Sequence, residues 1–351
     1  MAGRASAPEA LPFPVPSELF PVEHRFLDLN GTRLHYVDEG SGETLLLLHG
    51  NPTWSFLYRR IIAGLKSDFR CIAVDYPGYG MSNAPPGYGF TPREHSTVLE
   101  RFVDHLRLDD LTLMVQDWGG PIGLGFAGRR PELVHRLIIG NTFAWPLDGE
   151  RRIHLFSWLL GGPVGQMLTW TLNFGPRVFF ARGFAQKPAP EVREMYLAPW
   201  RDRGRRTAAV IAPRQLIAAS PYLEEVEAIL HRLADRPTLI VWGTRDAAFR
   251  SRAISSQRRS VSSTTSSYSS SRAALNWAMM RTSQASSGDT VSRTTASPPY
   301  FLIRSWSRLY ASRMASSSSR RQTPCWSESA PKRRVSRQTA LRAEEGSVGS
   351  R

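Results

Sequence analysis

Cysteine is scarce in this chain: 351 residues hold only Cys71 and Cys325, far apart in sequence. A small secreted domain stapled by disulfides would show a paired framework, so that class is excluded, and a reducing, cytoplasmic setting is expected. An uninterrupted apolar run at the N-terminus is also missing. Leu11, Phe13 and Val15 alternate with Pro12, Pro14 and Pro16, which breaks any signal-peptide or membrane-spanning helix. The expectation is a soluble protein with no membrane partner. Acidic residues are scarce in one region only. The net charge is +15, but residues 1–250 hold 28 Lys+Arg against 26 Asp+Glu, whereas residues 251–351 hold 17 against 4. The basicity belongs to the tail and says nothing about the partner of the rest.

What is present is an alternation of strand and helix patterns. His24 to Leu29 and Thr32 to Asp38 alternate apolar and polar positions around Asn30-Gly31, a strong hairpin signal. Continuous apolar runs then fit strands buried on both faces: Thr44 to Leu48, Cys71 to Val74, Leu111 to Val115, Leu137 to Gly140 and Thr238 to Trp242. Helical patterns at Arg93 to Leu106 and Pro121 to Ala127 lie between some of them, so the spacing predicts an α/β fold with a mainly parallel sheet covered by helices on both faces. From Phe143 to Ser220 the rhythm gives way to helix-like segments such as Val164 to Leu172, expected to form an inserted helical cap. A helical pattern at Tyr222 to Leu233 returns the chain to the last strand. The expected divisions are therefore core over 1–142, cap over 143–220, core again over 221–250, and a tail over 251–351. In that tail 28 of 101 residues are Ser and no period survives, a composition that cannot close a packed core and is expected to be disordered.

The chemistry concentrates at two strand ends. Val115-Gln116-Asp117-Trp118-Gly119-Gly120-Pro121 has the strand, sharp turn and helix of a nucleophile elbow, with Asp where Ser is common. A carboxylate needs no base to act as a nucleophile and can attack saturated carbon to give an alkyl ester. The plainer reading is an Asp that caps a helix. Leu48-His49-Gly50-Asn51-Pro52-Thr53-Trp54-Ser55 follows a second buried strand. With Asp117-Trp118 and Asp75-Tyr76-Pro77-Gly78-Tyr79-Gly80-Met81-Ser82, it resembles the haloalkane dehalogenases of the α/β-hydrolase fold, and the resemblance runs from about Phe20 to Arg250. It implies that Asn51 and Trp118 hold the departing halide with their side-chain N–H groups, and that their backbone N–H groups form an oxyanion hole. Amide and indole N–H groups are neutral donors, suited to a developing halide. An isolated Asn is otherwise a turn residue and an isolated Trp a core residue. The resemblance also places an acid that orients the catalytic His at a strand end, and Asp246 in Val241-Trp242-Gly243-Thr244-Arg245-Asp246 fits. The preceding strand ends Gly140-Asn141-Thr142, without a carboxylate; a turn role for Asp246 is the alternative. No metal or organic cofactor is implied, and the expected partners are a haloalkane and a halide ion.

One part of the pattern fails. The family places its His roughly thirty residues after that acid to activate water, yet the eight histidines are 24, 35, 49, 95, 105, 135, 154 and 231, all before Asp246. Hydrolysis of the ester is therefore expected to be impaired. A reading frame lost after Arg250 accounts for the tail: NTC codons for Val, Leu, Ile and Phe become TCN, Ser, when read one base late. Read one base earlier, Trp277-Ala278-Met279-Met280 gives Leu, Gly, one of His, Asp, Asn or Tyr, then Asp. The rival account is a basic arm for nucleic acid, which the tail's composition permits but no repeat or interleaved aromatic platform supports. Two other functions remain open from sequence: an epoxide hydrolase, with Tyr196 and Tyr222 as the candidate hydroxyls, and a non-catalytic binding protein.

Overall fold

The computed structural model describes residues 10–29, 31–184 and 187–241. Asn30, Trp242, Asp246 and the whole tail of residues 251–351, with its expected disorder, lie outside the described residues.

The entry hairpin forms as its alternation predicts. Strands β1 (His24–Leu29) and β2 (Thr32–Glu39) pair antiparallel, with Leu29 opposite Thr32. β2 then pairs antiparallel with β4 (Phe69–Val74). The remaining pairings are parallel, among β3 (Glu43–Leu48), β4, β5 (Leu111–Asp117), β6 (Val134–Thr142) and β7 (Thr238–Val241), in the sheet order β1-β2-β4-β3-β5-β6-β7. Leu45 to Leu48, Leu113, Val115, Ile138 and Ile139 have no exposed surface, because helices cover both faces. Each such side chain contributes roughly 1.5–3 kcal/mol of burial. The order also has a functional result. The chain leaves β3 to one side for β4 and returns on the other side for β5, so a crevice opens at the carboxyl ends of β3 and β5, the place where open α/β sheets bind ligands.

A 3-10 turn at Ser55–Tyr58 leads into α1 (Arg59–Leu65). Helix α2 (Pro92–His105) starts at a reciprocal cap: Thr91 Oγ1 accepts from Glu94 N at 3.2 Å, and the Glu94 carboxylate accepts from Thr91 N at 3.0 Å. Pro92 sits where no N–H is needed. Helix α3 (Gly119–Arg129) follows β5 directly.

Between β6 and β7 come α4 (Arg151–Gly161), α5 (Pro163–Leu172), α6 (Phe174–Arg182), α7 (Pro190–Leu197), α8 (Thr207–Ala218) and α9 (Ser220–Ile229). The first five fall in the segment expected to form a cap. Two buried indoles bolt it to the loop after β3: Trp54 Nε1 donates to Met195 O at 3.2 Å, and Trp200 Nε1 to Pro52 O at 3.1 Å. The buried Arg206 guanidinium donates to the carbonyls of Trp170, Thr171, Trp200 and Arg201 at 2.7–3.0 Å. It thereby satisfies the end of α5, which has no further helical partner. Among the described residues no helix is long and apolar enough to cross a membrane, and no group of three or more His, Cys, Asp or Glu could hold a metal ion.

Candidate active site

The elbow begins where the ladder of β5 ends. Pairing with β6 shifts register between Gln116 and Asp117, and Asp117 takes the left-handed conformation, φ +52°. For a residue with a Cβ this costs roughly 1–2 kcal/mol and persists only where neighbours enforce it. Three neighbours do so. Thr142 Oγ1 donates to Asp117 O at 2.5 Å, Asn51 N donates to Asp117 Oδ1 at 2.7 Å, and Gly50 leaves the carboxylate room. A Cβ built on Gly50 would lie 2.1 Å from Asp117 Oδ1 and 2.2 Å from its Cβ, so glycine is required there by close approach. The strand end thus delivers a carboxylate into the crevice at the ends of β3 and β5.

The structure brings Asn51, 66 residues away in sequence, onto the Asp117 carboxylate, which Trp118 follows in the chain. Asn51 Oδ1 accepts weakly from Tyr79 Oη at 3.4 Å, an arrangement that turns the amide NH₂ into the available end. The Trp118 ring packs edge-on against Phe143, 5.1 Å between centroids and 72° between planes. Its indole N–H donates to no protein group among the described residues, whereas the indole of nearby Trp54 is committed to Met195 O. Asp117 and Asn51 are thereby joined, with the Asn51 backbone N–H on one carboxylate oxygen, and Trp118 follows Asp117 directly in the chain. Asp246 lies outside the described residues.

Three tyrosines that the sequence reading did not assign surround the carboxylate. Tyr58, Tyr76 and Tyr79 are buried, and their hydroxyls are raised above the usual phenol range, Tyr58 and Tyr79 by burial first and then by the negative charge of Asp117, Tyr76 by burial first and then by neighbouring tyrosines ahead of Asp117. They remain neutral donors. Tyr58 Oη donates to Leu48 O at 2.7 Å, which fixes the carboxyl end of β3. The Tyr76 hydroxyl and His95 Nε2 are buried without a partner among the described residues and belong to residues lining a cavity of about 10 Å³ that also touches Gly50, Trp118 and Gln215 of α8. That is room for roughly one water.

The described histidines near this crevice have structural occupations. His49 Nδ1 faces Gly50 O at 3.0 Å and its Nε2 accepts from Tyr76 N at 3.4 Å, while burial pushes its pKa down. His95 Nδ1 pairs with Tyr88 Oη at 3.0 Å, and burial, with His49 adding, lowers its pKa to about 3. His35 is bonded to Asp75 at 2.7 Å. Asp75 organises the loop of the Asp75 to Ser82 motif: its carboxylate also accepts from Ser55 N at 2.7 Å and Met81 N at 3.0 Å. Burial alone would raise the Asp75 carboxyl, yet His35, then His49 and the Met81 N–H bond, hold it below the usual range. This role could not be read from the motif, because His35 lies forty residues earlier.

Of the two tyrosines suggested for epoxide chemistry, Tyr222 donates its hydroxyl proton to Pro121 O at 3.0 Å, whereas Tyr196 Oη accepts from Arg59 at 3.0 Å, a bond that uses a lone pair and not its proton.

A family model for the alpha/beta hydrolase fold matches residues 43–265. Haloalkane dehalogenase 2 of Mycobacterium tuberculosis (strain H37Rv) is 41% identical over 238 residues, covering 68% of this chain and 83% of that protein. Cis-3-alkyl-4-alkyloxetan-2-one decarboxylase of Shewanella oneidensis is 35% identical over 242 residues, covering 66% of this chain and 76% of that one. Among solved structures, a point mutant of a haloalkane dehalogenase from Agrobacterium tumefaciens C58 superposes with a TM-score of 0.63 at 26% identity, covering 70% of this chain and 88% of that one.

Proposed function

Since the chain belongs to the haloalkane dehalogenase family of α/β-hydrolase fold enzymes, we propose that it cleaves carbon–halogen bonds through an alkyl ester formed on Asp117. The observation that carries this reading is the Asp117 carboxylate at a left-handed strand end, with Asn51 N on one oxygen and Trp118 the next residue in the chain. The carboxylate attacks the carbon bearing the halogen, the C–O bond forms as the C–X bond breaks, and the halide leaves with the electron pair. The Asn51 amide and Trp118 indole N–H groups hold that anion, a task for preorganised neutral donors. Asn51 N then sits where the ester oxygen gains charge during hydrolysis.

Release of the alcohol requires a base to activate water. Asp246 is the proposed orienting acid, and no His follows it in the sequence. The chain as written therefore performs the first step and stalls as the ester. Rapid mixing with a bromoalkane should release about one bromide per site, with an intact-mass gain of one alkyl group that maps to Asp117 and is absent in Asp117→Asn. Sustained turnover, or bromide release by the Asn variant, overturns the proposal.

The similarity to the oxetanone decarboxylase favours a second reading on the same nucleophile: attack on a strained four-membered lactone carrying two alkyl chains, with carbon dioxide and an alkene as products. Parallel measurement of bromide and carbon dioxide from the two substrate types separates them. The bond from the Tyr222 hydroxyl to Pro121 O speaks against epoxide opening by that residue.

A further inference from the structure

Two cap helices are packed inside out. The buried positions of α4 are Ser157 and Gly161, and those of α5 are Gly165 and Thr169, small residues one turn apart in each helix. A Cβ on Gly161 would lie 2.7 Å from Arg214 N of α8, and one on Gly165 would lie 2.1 Å from Leu159 O of α4, so small size is what lets these backbones meet. The large apolar side chains point the other way. Trp158 is 72% exposed and Val164 66%, and Leu155, Leu159, Met167 and Trp170 are exposed with them. All exposed large hydrophobic residues among the described residues lie between Leu155 and Phe179.

A helix facing water on the surface of a globular protein shows the reverse pattern. Small residues at helix contacts with large apolar residues outward is how helices pack against lipid. At 11 and 10 residues, α4 and α5 are about half the length a bilayer crossing needs, so helices of this length can meet a membrane only at its face. Charge identifies which membrane. Between residues 151 and 190 there is no Asp or Glu, while Arg151, Arg152, Arg177, Arg182 and Lys187 are exposed and form no ion pair among the described residues. A second copy would set five cations against five, and the tail of residues 251–351 carries the same sign. An anionic surface complements the patch.

We propose that the outer face of α4 and α5 docks on anionic phospholipid bilayers, lying flat with Trp158, Val164, Met167 and Trp170 in the headgroup boundary. This departs from the sequence-based expectation of no membrane partner, which rested on spanning segments alone, and it stands whichever reaction Asp117 performs.

Co-sedimentation of the full chain with vesicles tests it, using phosphatidylcholine alone and phosphatidylcholine with about one third phosphatidylglycerol. The full chain should bind the anionic vesicles. The Trp158→Asp/Met167→Asp variant should bind at least about tenfold more weakly with an unchanged melting curve, because both side chains are exposed and leave no cavity. Arg151→Glu/Arg152→Glu should weaken binding to the anionic vesicles by about tenfold or more. Failure of the full chain to bind overturns the proposal. So does undiminished binding by the double Asp variant, which would assign retention to the basic tail. Sedimentation velocity showing a dimer that Trp158→Asp dissociates would assign the patch to a second copy instead.

Discussion

Gly50→Ala isolates the geometry on which the proposed chemistry depends. The new methyl carbon would stand 2.1 Å from Asp117 Oδ1, 2.2 Å from its Cβ and 2.5 Å from its Cγ, more than 1 Å inside ordinary van der Waals separation. Asp117 cannot simply rotate away as a long surface side chain would, because Asn51 N holds Oδ1 and Thr142 Oγ1 holds the carbonyl. Either the carboxylate or the loop after β3 must shift by about 1 Å, and a misplacement of that size costs about 100-fold in rate for a positioned nucleophile. Overpacking should also lower stability by about 1–3 kcal/mol. The assay is the burst of bromide after rapid mixing with a bromoalkane, with urea denaturation run alongside. Gly149→Ala is the control, since a Cβ there meets nothing within 4 Å. A folded Gly50→Ala protein whose burst rate stays within about threefold of wild type would refute the argument that this close approach sets the nucleophile's position.

Trp118→Phe keeps the packing against Phe143 and removes one proposed halide donor; it should slow the bromide burst by about 100-fold, while Trp54→Phe, which loses the N–H bonded to Met195 O, should act on stability with little effect on the burst of the folded fraction. His95 predicts a pH dependence of stability. Its pKa falls from 6.5 to about 3 on folding, so below pH 6.5 the unfolded chain takes up a proton that the folded chain refuses, and stability declines until the pH reaches about 3. Urea midpoints measured from pH 7 to pH 4 should fall for wild type and fall less steeply for His95→Phe; parallel slopes would remove His95 from the account.

Much of the sheet was legible because its signals are local. Alternation around a turn placed β1 and β2 to within one residue, and apolar runs located β3 to β7. The misjudged ends have physical reasons. β6 begins three residues before its apolar run, where His135 pairs with Asp110 and Arg136 with Glu43, so polar side chains satisfied across the sheet extend a strand that hydrophobicity alone cuts short. β5 runs two residues further than its apolar stretch, to Gln116 and Asp117, because register with β6 carries it there. In the candidate site, Asp117, Asn51 and Trp118 could be named as candidates because each sits in a contiguous motif. Tyr58, Tyr76 and Tyr79 were not, since their relation to Asp117 arises only when loops following β3 and β4 converge at the crevice. The inverted faces of α4 and α5 were also hidden: a helical period says that one side is apolar but not that the other side is the one that packs.

The contacts around Asp117 grip its main chain, one side-chain oxygen and the empty space beside it. The Thr142 bond holds the main chain whatever side chain follows, while the Asn51 bond demands an acceptor oxygen, so a replacement at the bend keeps its seat only if it is short and carries such an oxygen.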